Sequence, residues 1–195
     1  MKMVDITREW TTAPVYPGDP APQLQPLQNI ASGDLFTVNG FSGCLHNGTH
    51  MDAPLHAVPE GDDVVSVPLS QMIGECTVVE YEGRLLGDVA ERLVRRVLGN
   101  RILFKGQTVI DRSAAYVLAD AGMQLIGVES PSVSSPEEDA AVHRHFLLNN
   151  IVLLENLDLS KVQPGTYFLL AAPMKIAGAE AAPVRAVLLE RQIHL

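Results

Sequence analysis

Short hydrophobic runs, separated by stretches with helical periodicity, dominate the middle and the end of the chain. Apolar residues recur at helical spacing over 87–98 and 111–121, and a strand-like pattern interrupted by glycines covers 35–52. The compact apolar runs predict buried strands at 76–81, 101–104, 125–128, 151–154, 167–171 and 184–189. Strands that alternate with helices of about ten residues predict an α/β domain.

Two helix starts carry recognisable capping residues. Asp111 is placed to cap the helix predicted over 111–121, because its carboxylate can accept hydrogen bonds from the free N–H groups of a first turn. The segment Ser135-Pro136-Glu137-Glu138 is typical of a capping box, with proline at the first helical position and glutamate three residues after the serine. It predicts a helix from 136 to about 149.

The first 30 residues are rich in proline, so we expect an extended N-terminal arm there rather than a helix. Within this arm, Tyr16-Pro17-Gly18-Asp19 has proline at the second and glycine at the third position of a type II turn. Aromatic residues make up only 5 % of the chain. Trp10, Tyr16 and Phe36 are therefore the aromatic side chains that we expect nearest to a site.

Composition and charge narrow the classes of function. The 195 residues fit one domain, and a net charge of −9 argues against binding to nucleic acid or to an anionic membrane surface. No apolar run approaches the ~20 residues that cross a bilayer, and charged residues interrupt the N-terminal segment where a secretory signal would be apolar. Cys44 and Cys76 are too few for a disulfide framework. We therefore expect a cytoplasmic protein that acts on a small molecule.

Four side chains that commonly bind metals lie within eleven residues. They stand at offsets 0, 4, 6 and 10 and are His46, His50, Asp52 and His56. Imidazole and carboxylate are typical ligands of Zn²⁺ and Mn²⁺. A straight strand would separate His46 from Asp52 by roughly 20 Å, whereas ligands lie about 2 Å from their ion, so we expect a bend at Asn47-Gly48. A structural or solvated role is the alternative for each histidine taken alone.

A second and weaker cluster follows the predicted helix 136–149. His143 and His145 stand ~200° apart around a helix, so only one of them can face a given site. Glu155 follows the strand predicted at 151–154 and meets the helix if the two pack together. Periodicity alone does not choose between the two histidines, and a solvated role for each of these residues is the alternative.

The segment HNGTHMDAPLH at 46–56 matches all eight fixed positions of the pattern H-x-G-T-H-x-D-A-P-x-H. By this motif the chain resembles the cyclase-like metal-dependent hydrolases, which include bacterial kynurenine formamidases and isatin hydrolases. The segments VDIT, PVYPGDP, IGVESPSV and HRHFLLNNIVLLENLDL extend the resemblance over nearly the whole chain. One departure is Glu129, where the family commonly has aspartate.

The resemblance implies a fold, a cofactor and roles for particular residues. It implies a single domain over 1–195, with a mixed β-sheet core and flanking helices of the swivelling β/β/α type, in a homodimer or homotetramer. It implies one or two Zn²⁺ or Mn²⁺ ions per chain and a catalytic role for His56. It implies that Asp52 is shared by two ligand sets, which are His46, His50 and Asp52 for the first ion and His143, Glu155 and Asp52 for the second.

The reaction that these features favour is hydrolysis of a carbon–nitrogen bond in a small amide. A metal ion lowers the pKa of bound water to near 7, and His56 is suited to carry the proton to the leaving nitrogen. An arylformamide similar to N-formylkynurenine is preferred. Two alternatives remain open: a hydrolase or cyclase that acts on a cyclic lactam or lactone, and a non-catalytic metal-binding or ligand-binding protein.

Overall fold

Thirteen strands and four helices form the part of the protein that the computed structural model describes, residues 2–190. Residue 1 and residues 191–195, which the single-domain expectation includes, lie outside the described residues. The helices are α1 (Leu69–Met72), α2 (Gly87–Val94), α3 (Arg112–Asp120) and α4 (Asp139–Leu148). The strands are β1 (Met3–Asp5), β2 (Gln23–Gln28), β3 (Val38–Ser42), β4 (His50–Asp52), β5 (Ile73–Glu80), β6 (Gly83–Leu85), β7 (Arg101–Lys105), β8 (Thr108–Ile110), β9 (Leu125–Val128), β10 (Val152–Glu155), β11 (Gly165–Leu170), β12 (Ala181–Pro183) and β13 (Val187–Leu189).

Nine of these strands form one mixed sheet in the order β1-β13-β11-β5-β7-β9-β10-β4-β12. The strands β5, β7, β9 and β10 run parallel, and the strands on either side of them pair antiparallel. Each parallel strand coincides with one of the compact apolar runs of the sequence, because such strands are covered on both faces. The expected α/β fold with a mixed sheet and flanking helices is confirmed.

Buried apolar side chains cover both faces of the sheet, and successive residues of a strand point to opposite faces. In β4, Met51 is fully buried in the core on one face. His50 and Asp52 therefore point to the other face, where α2, α3 and α4 pack. One short strand thus anchors the sheet and presents two polar side chains beside α4.

The predicted strands are present with small shifts at their ends. The break expected at the glycines of 35–52 is found, whereas the start of the last strand needs correction. The strand-like segment 35–52 is split into β3 and β4 by a turn over residues 43–49, because Asn47 and Gly48 bend the chain there. The last strand begins at Val187 rather than 184, since Val184 pairs separately with Pro173 in an isolated bridge.

The predicted helices are also present, but two of their boundaries are wrong. The helix predicted over 87–98 ends at Val94, because the backbone N–H and C=O of Leu98 are both bonded to the hydroxyl of Thr77. The helix predicted from 136 begins at Asp139, and the expected capping box does not form. Glu138, which should reach back to the serine, instead contacts Arg84 at 3.1 Å.

The N-terminal arm is tied to the body at several points. The strand β1 pairs with β13 at the edge of the main sheet, and β2 pairs with β3 in a separate two-stranded hairpin. The expected turn at residues 16–19 lies between β1 and β2. It has a hydrogen bond from the Asp19 N–H to the Tyr16 carbonyl and a φ of 101° at Gly18. No helix within residues 2–190 combines the length and the apolar character needed to cross a membrane.

The cap of α3 gives a prediction about stability. Asp111 accepts hydrogen bonds from the Ser113 N–H and hydroxyl and pairs with Arg84, and these contacts lower its pKa from 3.8 to about 2. Replacing Asp111 by alanine should lower the free energy of unfolding by about 1 kcal/mol at pH 7, measured by urea denaturation. Asp111→Asn is the matched control, because asparagine keeps the cap but does not ionise.

The pH dependence of this contribution has a definite sign. Because the pKa of Asp111 is lowered on folding, its charge stabilises the native state fully above pH ~4 and progressively less as the pH falls toward 2. The difference in stability between the native sequence and Asp111→Asn should therefore shrink over that range. A difference that is constant from pH 5 to pH 2 would contradict this assignment.

Candidate metal centre

The bend expected at Asn47-Gly48 is present and turns the chain into β4. Gly48 has a φ of 62°, and a Cβ there would approach the Trp10 backbone to 3.1 Å, so glycine is required for both reasons. The Asn47 side chain accepts a hydrogen bond from the Cys44 N–H at 2.8 Å. The Thr49 hydroxyl then donates to the Asn156 carbonyl at 2.5 Å, which joins the bend to the end of β10.

The pairing of β4 with β10 brings the two sequence clusters together. His50 lies directly opposite Glu155 in this antiparallel register. His50 Nε2 lies 3.4 Å from Glu155 Oε2 and 3.5 Å from Asp52 Oδ1. His50 Nδ1 lies 3.0 Å from the Gly48 carbonyl, which can only accept a hydrogen bond. The proton therefore sits on Nδ1, and Nε2 is free to face the two carboxylates.

Helix α4 supplies His143 and directs His145 elsewhere. His143 Nε2 lies 3.3 Å from Glu155 Oε1 and 3.6 Å from Asp52 Oδ2. The ring of His145 instead stacks on Tyr116 with a centroid separation of 4.0 Å. Only one of the two histidines reaches the cluster, as the helical geometry requires.

His46 and His56 close the cluster from the side of the bend. His46 Nδ1 lies 3.0 Å from Asp52 Oδ1, and its ring is 4.5 Å from that of His56 between centroids. His56 ends a single 3₁₀ turn that starts at Pro54, and it is the most exposed of the four histidines. The His56 ring also lies 5.6 Å from that of His143.

Asp52 is the centre of this arrangement. It is completely buried, and neither of its carboxylate oxygens has a hydrogen-bond partner of good geometry among residues 2–190. The same holds for His50 Nε2. Buried polar atoms without partners are costly unless an ion or an ordered water satisfies them.

The pKa values of these groups are shifted by the neighbouring charges of the cluster. Burial opposes ionisation of Asp52, but His143, His46 and His50 outweigh it and hold its pKa well below the usual range. Burial lowers the pKa of His50, but Glu155 and Asp52 raise it overall to about 9. The pKa values of His46 and His143 are raised by carboxylates against the same burial effect. The cluster therefore favours positive charge between its carboxylates.

The donor atoms fit a divalent cation. Two sets of three potential ligand atoms lie within 4.8 Å of one another, one in His46, Asp52 and His56 and the other in His50, Asp52 and Glu155. Nitrogen and oxygen donors of this kind suit a divalent transition metal, which would satisfy the unpartnered oxygens of Asp52. His56 belongs to one of these sets, so its position alone is compatible with a ligand as well as with a proton carrier.

Two residues that contact histidines of the cluster, Asp139 and Glu180, were not identified from the sequence. Asp139 lies four residues before His143 on α4, and its Oδ1 is 3.3 Å from His143 Nδ1. The Ser132 hydroxyl in turn donates to Asp139. Asp139 and His143 are separated by one helical turn. This spacing is a signal that could have identified Asp139, because residues at i and i+4 are neighbours on a helix. Glu180, 3.5 Å from His46 Nε2, comes from the loop before β12 and carries no local signal.

A cleft of about 250 Å³ opens above the cluster, and Tyr16 and Asp19 of the N-terminal turn line it. Of the three aromatic candidates, only Tyr16 reaches this cleft. Trp10 lines a different cavity of about 670 Å³, and its ring packs edge-on against Phe41. Phe36 is 66 % exposed and lies on the hairpin, so its expected role near the site is not supported.

Glu129, the one departure from the resemblance noted in the sequence, lies outside the cleft. Its carboxylate accepts hydrogen bonds from the backbone N–H of Gly106 at 2.6 Å and of Leu159 at 2.8 Å. It therefore ties together two loops beyond the ends of the parallel strands. This contact explains the residue structurally and leaves the cluster around Asp52 unaffected.

Comparisons with known proteins identify relatives of this chain. The sequence model of the Cyclase family matches residues 4–94. A kynurenine formamidase of Salinibacter ruber is 36 % identical over 96 % of this chain and 97 % of its own length. A solved structure described as a potential metal-dependent hydrolase with cyclase activity has a TM-score of 0.84 and 26 % identity, over 98 % of each chain. Isatin hydrolase A from Ralstonia solanacearum shares the fold, with a TM-score of 0.81 and 20 % identity, over 96 % of this chain and 91 % of its own.

The positions of His143 and Glu155 in the cluster give a prediction about metal binding. His143→Ala and Glu155→Ala should each lower metal affinity by at least about tenfold, because each removes a donor from the buried cluster. The double variant should be little worse than either single one, since the residues act as a unit. Elemental analysis and metal titration of the purified variants measure this effect.

His145→Ala is the matched control, because His145 lies two residues away on the same helix and stacks on Tyr116. Its metal content should equal that of the native sequence. Loss of metal from His145→Ala together with full retention by His143→Ala would contradict the assignment of His143 to the cluster.

Proposed function

Because the chain belongs to the cyclase-like family of metal-dependent hydrolases, which includes the kynurenine formamidases, we propose that it hydrolyses arylformamides. It is a hydrolytic enzyme that acts on amides. The observation that carries the proposal is the buried Asp52 carboxylate, which has no hydrogen-bond partner of good geometry within residues 2–190. It lies among four histidines and Glu155 at the base of a cleft. A substrate similar to N-formylkynurenine is consistent with the kynurenine formamidase from Salinibacter ruber that the chain resembles.

The metal that we propose is Zn²⁺ or Mn²⁺, held by His46, His50, Asp52, His143 and Glu155. Such an ion supplies a Lewis acid that polarises a carbonyl oxygen and acidifies water. Neighbouring groups orient the rings of two of these histidines, His50 and His143. Gly48 fixes the tautomer of His50 through its carbonyl, and Asp139 holds Nδ1 of His143.

His56 is the residue that we propose to move the proton. It stands at the mouth of the cleft, where substrate can reach it, and an imidazole exchanges protons readily near neutral pH. Water adds to the formyl carbon as His56 accepts its proton. The carbon–nitrogen bond then breaks as His56 returns the proton to the leaving nitrogen. The products are formate and an aromatic amine.

A substrate panel tests this function directly. The purified enzyme should release formate from N-formylkynurenine and formanilide faster than it opens a cyclic lactam or cleaves an aryl ester. A chelator should abolish this activity, and Zn²⁺ or Mn²⁺ should restore it. Full activity after exhaustive removal of metal would contradict the proposal, and so would exclusive activity on the lactam.

His56→Ala separates the proton carrier from a metal ligand. We expect the variant to keep its metal and to lose about 10²–10⁴-fold in kcat, which is the usual contribution of general acid–base catalysis. Loss of the metal instead would place His56 among the ligands. Unchanged kcat would remove it from the mechanism.

We also propose that a second copy of the chain covers the hairpin formed by β2 and β3. An isolated two-stranded hairpin is marginally stable in water, and large exposed apolar patches mark interfaces. Homo-oligomers are expected from the family resemblance. The hairpin and its connecting turn expose the large apolar side chains of Leu24, Leu27, Ile30, Leu35, Phe36, Val38 and Phe41.

The oligomeric state tests this interface. Leu35→Glu combined with Phe36→Asp should shift the sedimentation coefficient toward that of a monomer, because both charges would be buried in the assembly. Leu98→Glu, at a residue of similar exposure on another face, is the control and should leave the assembly intact. A native sequence that sediments as a monomer would contradict the proposal.

A further inference from the structure

The cleft above the metal-binding cluster continues outward into a second cavity. This outer cavity measures about 470 Å³ and shares four lining residues with the cleft, namely Tyr16, His56, Asp139 and His143. A substrate whose reacting carbonyl lies beside His56 therefore has room to extend into it. The groups that line the outer cavity then decide which substituents are accepted.

Arg144 stands out among these groups. It follows His143 directly on α4, lines the outer cavity and is exposed. Over residues 2–190, no hydrogen bond or ion pair to its guanidinium is found. By contrast, Arg84, Arg101 and Arg185 are engaged by carboxylates or by backbone carbonyls. Arg144 is thus an uncompensated cation that faces the outer end of the substrate path.

The two cavities differ in the charged side chains that line them. The inner cleft is lined by carboxylates, which are those of Asp19, Asp52, Asp139 and Glu155. Apart from histidines, Arg144 is the single basic side chain among the residues that line the two cavities. At the outer end, a negatively charged substituent can therefore pair with a guanidinium that has no other partner within residues 2–190. A guanidinium can hold a carboxylate through two parallel hydrogen bonds.

We propose that Arg144 binds a carboxylate of the substrate, so that the preferred substrates are arylformamides bearing a carboxylate remote from the formamide. This inference rests on the proposed function and adds a specificity-determining residue to it. The formamide lies beside His56, the aromatic ring spans the region near Tyr16, and the carboxylate pairs with Arg144. Binding of the acid group contributes to substrate affinity and not to the chemical step.

The test compares arylformamides with and without a free carboxylate. N-formylkynurenine, its methyl ester and formanilide are assayed with the native enzyme, Arg144→Gln and Arg144→Lys. The native enzyme should prefer the acid over the ester, and Arg144→Gln should lose roughly tenfold or more in kcat/KM for the acid through KM. The ester and formanilide should change far less. Arg144→Lys should recover part of the preference, because it restores the charge without the planar fork.

Two controls keep the outcome specific. Arg96→Gln makes the same change of charge at an exposed arginine that lines neither cavity, and it should leave all three reactions unchanged. The metal content of Arg144→Gln should equal that of the native enzyme. If the metal is lost, Arg144 supports α4 rather than the substrate, and the assignment is overturned.

The kinetic outcomes separate the two proposals. Equal losses for acid, ester and formanilide in Arg144→Gln would overturn the carboxylate site, and so would no loss for any of them. In both cases arylformamide hydrolysis itself would stand. A native enzyme that hydrolyses none of the three substrates would overturn the proposed function, and the carboxylate site with it.

Discussion

The carboxylate of Asp52 lies in the interior, where no donor from the described part of the chain reaches it with good hydrogen-bond geometry, and the rest of the site is arranged around that charge. An isolated buried carboxylate is so costly that a protein must protonate it, pair it or place a cation beside it. The surrounding imidazoles and Glu155 make the last solution possible, because they offer further donor atoms at ligand distances. The site is thus a buried negative charge, held in place by the sheet, that a cation would stabilise.

One strand of the sheet, β4, both packs into the core and presents the residues of the site. Met51 anchors β4 in the core on one face, and the residues before and after it face α4 on the other. The pairings of β4 with β10 and β12 set the position of Asp52 within the sheet, and the packing of α4 fixes His143. Because these elements are held by apolar contacts, the donor atoms are positioned before any ion binds, which is the condition for an effective site.

Much of this arrangement could be predicted from local patterns. The apolar runs predicted the parallel strands, and the spacing of His46, His50 and Asp52 together with a nearby glycine predicted the bend. The failures came from contacts between distant residues. Glu138 pairs with Arg84 instead of completing a capping box, and Thr77 ends α2 early by binding Leu98. Neither partner can be recognised from the segment that it alters.

The same limit applied to the site. The choice between His143 and His145 required the rotation of α4 against the sheet, which the resemblance supplied and periodicity did not. Asp139 escaped notice because a carboxylate in the first turn of a helix is common for reasons of capping and dipole alone. Its contact with His143 becomes meaningful only when the other end of that ring is known to face Asp52.

The pairing of β4 with β10 also has a consequence for how the protein is made. When the ribosome has released the segment from His46 to His56, the chain carries four donors, while Glu155 is still roughly 100 residues away in synthesis. Contacts between such distant segments are slow to form and cannot close early. The nascent chain therefore passes through a long interval in which the four donors of this segment are present without His143 and Glu155. A cation that bound at that stage would contact only the donors of this segment, and Glu155 would reach it only when β10 adds to the sheet.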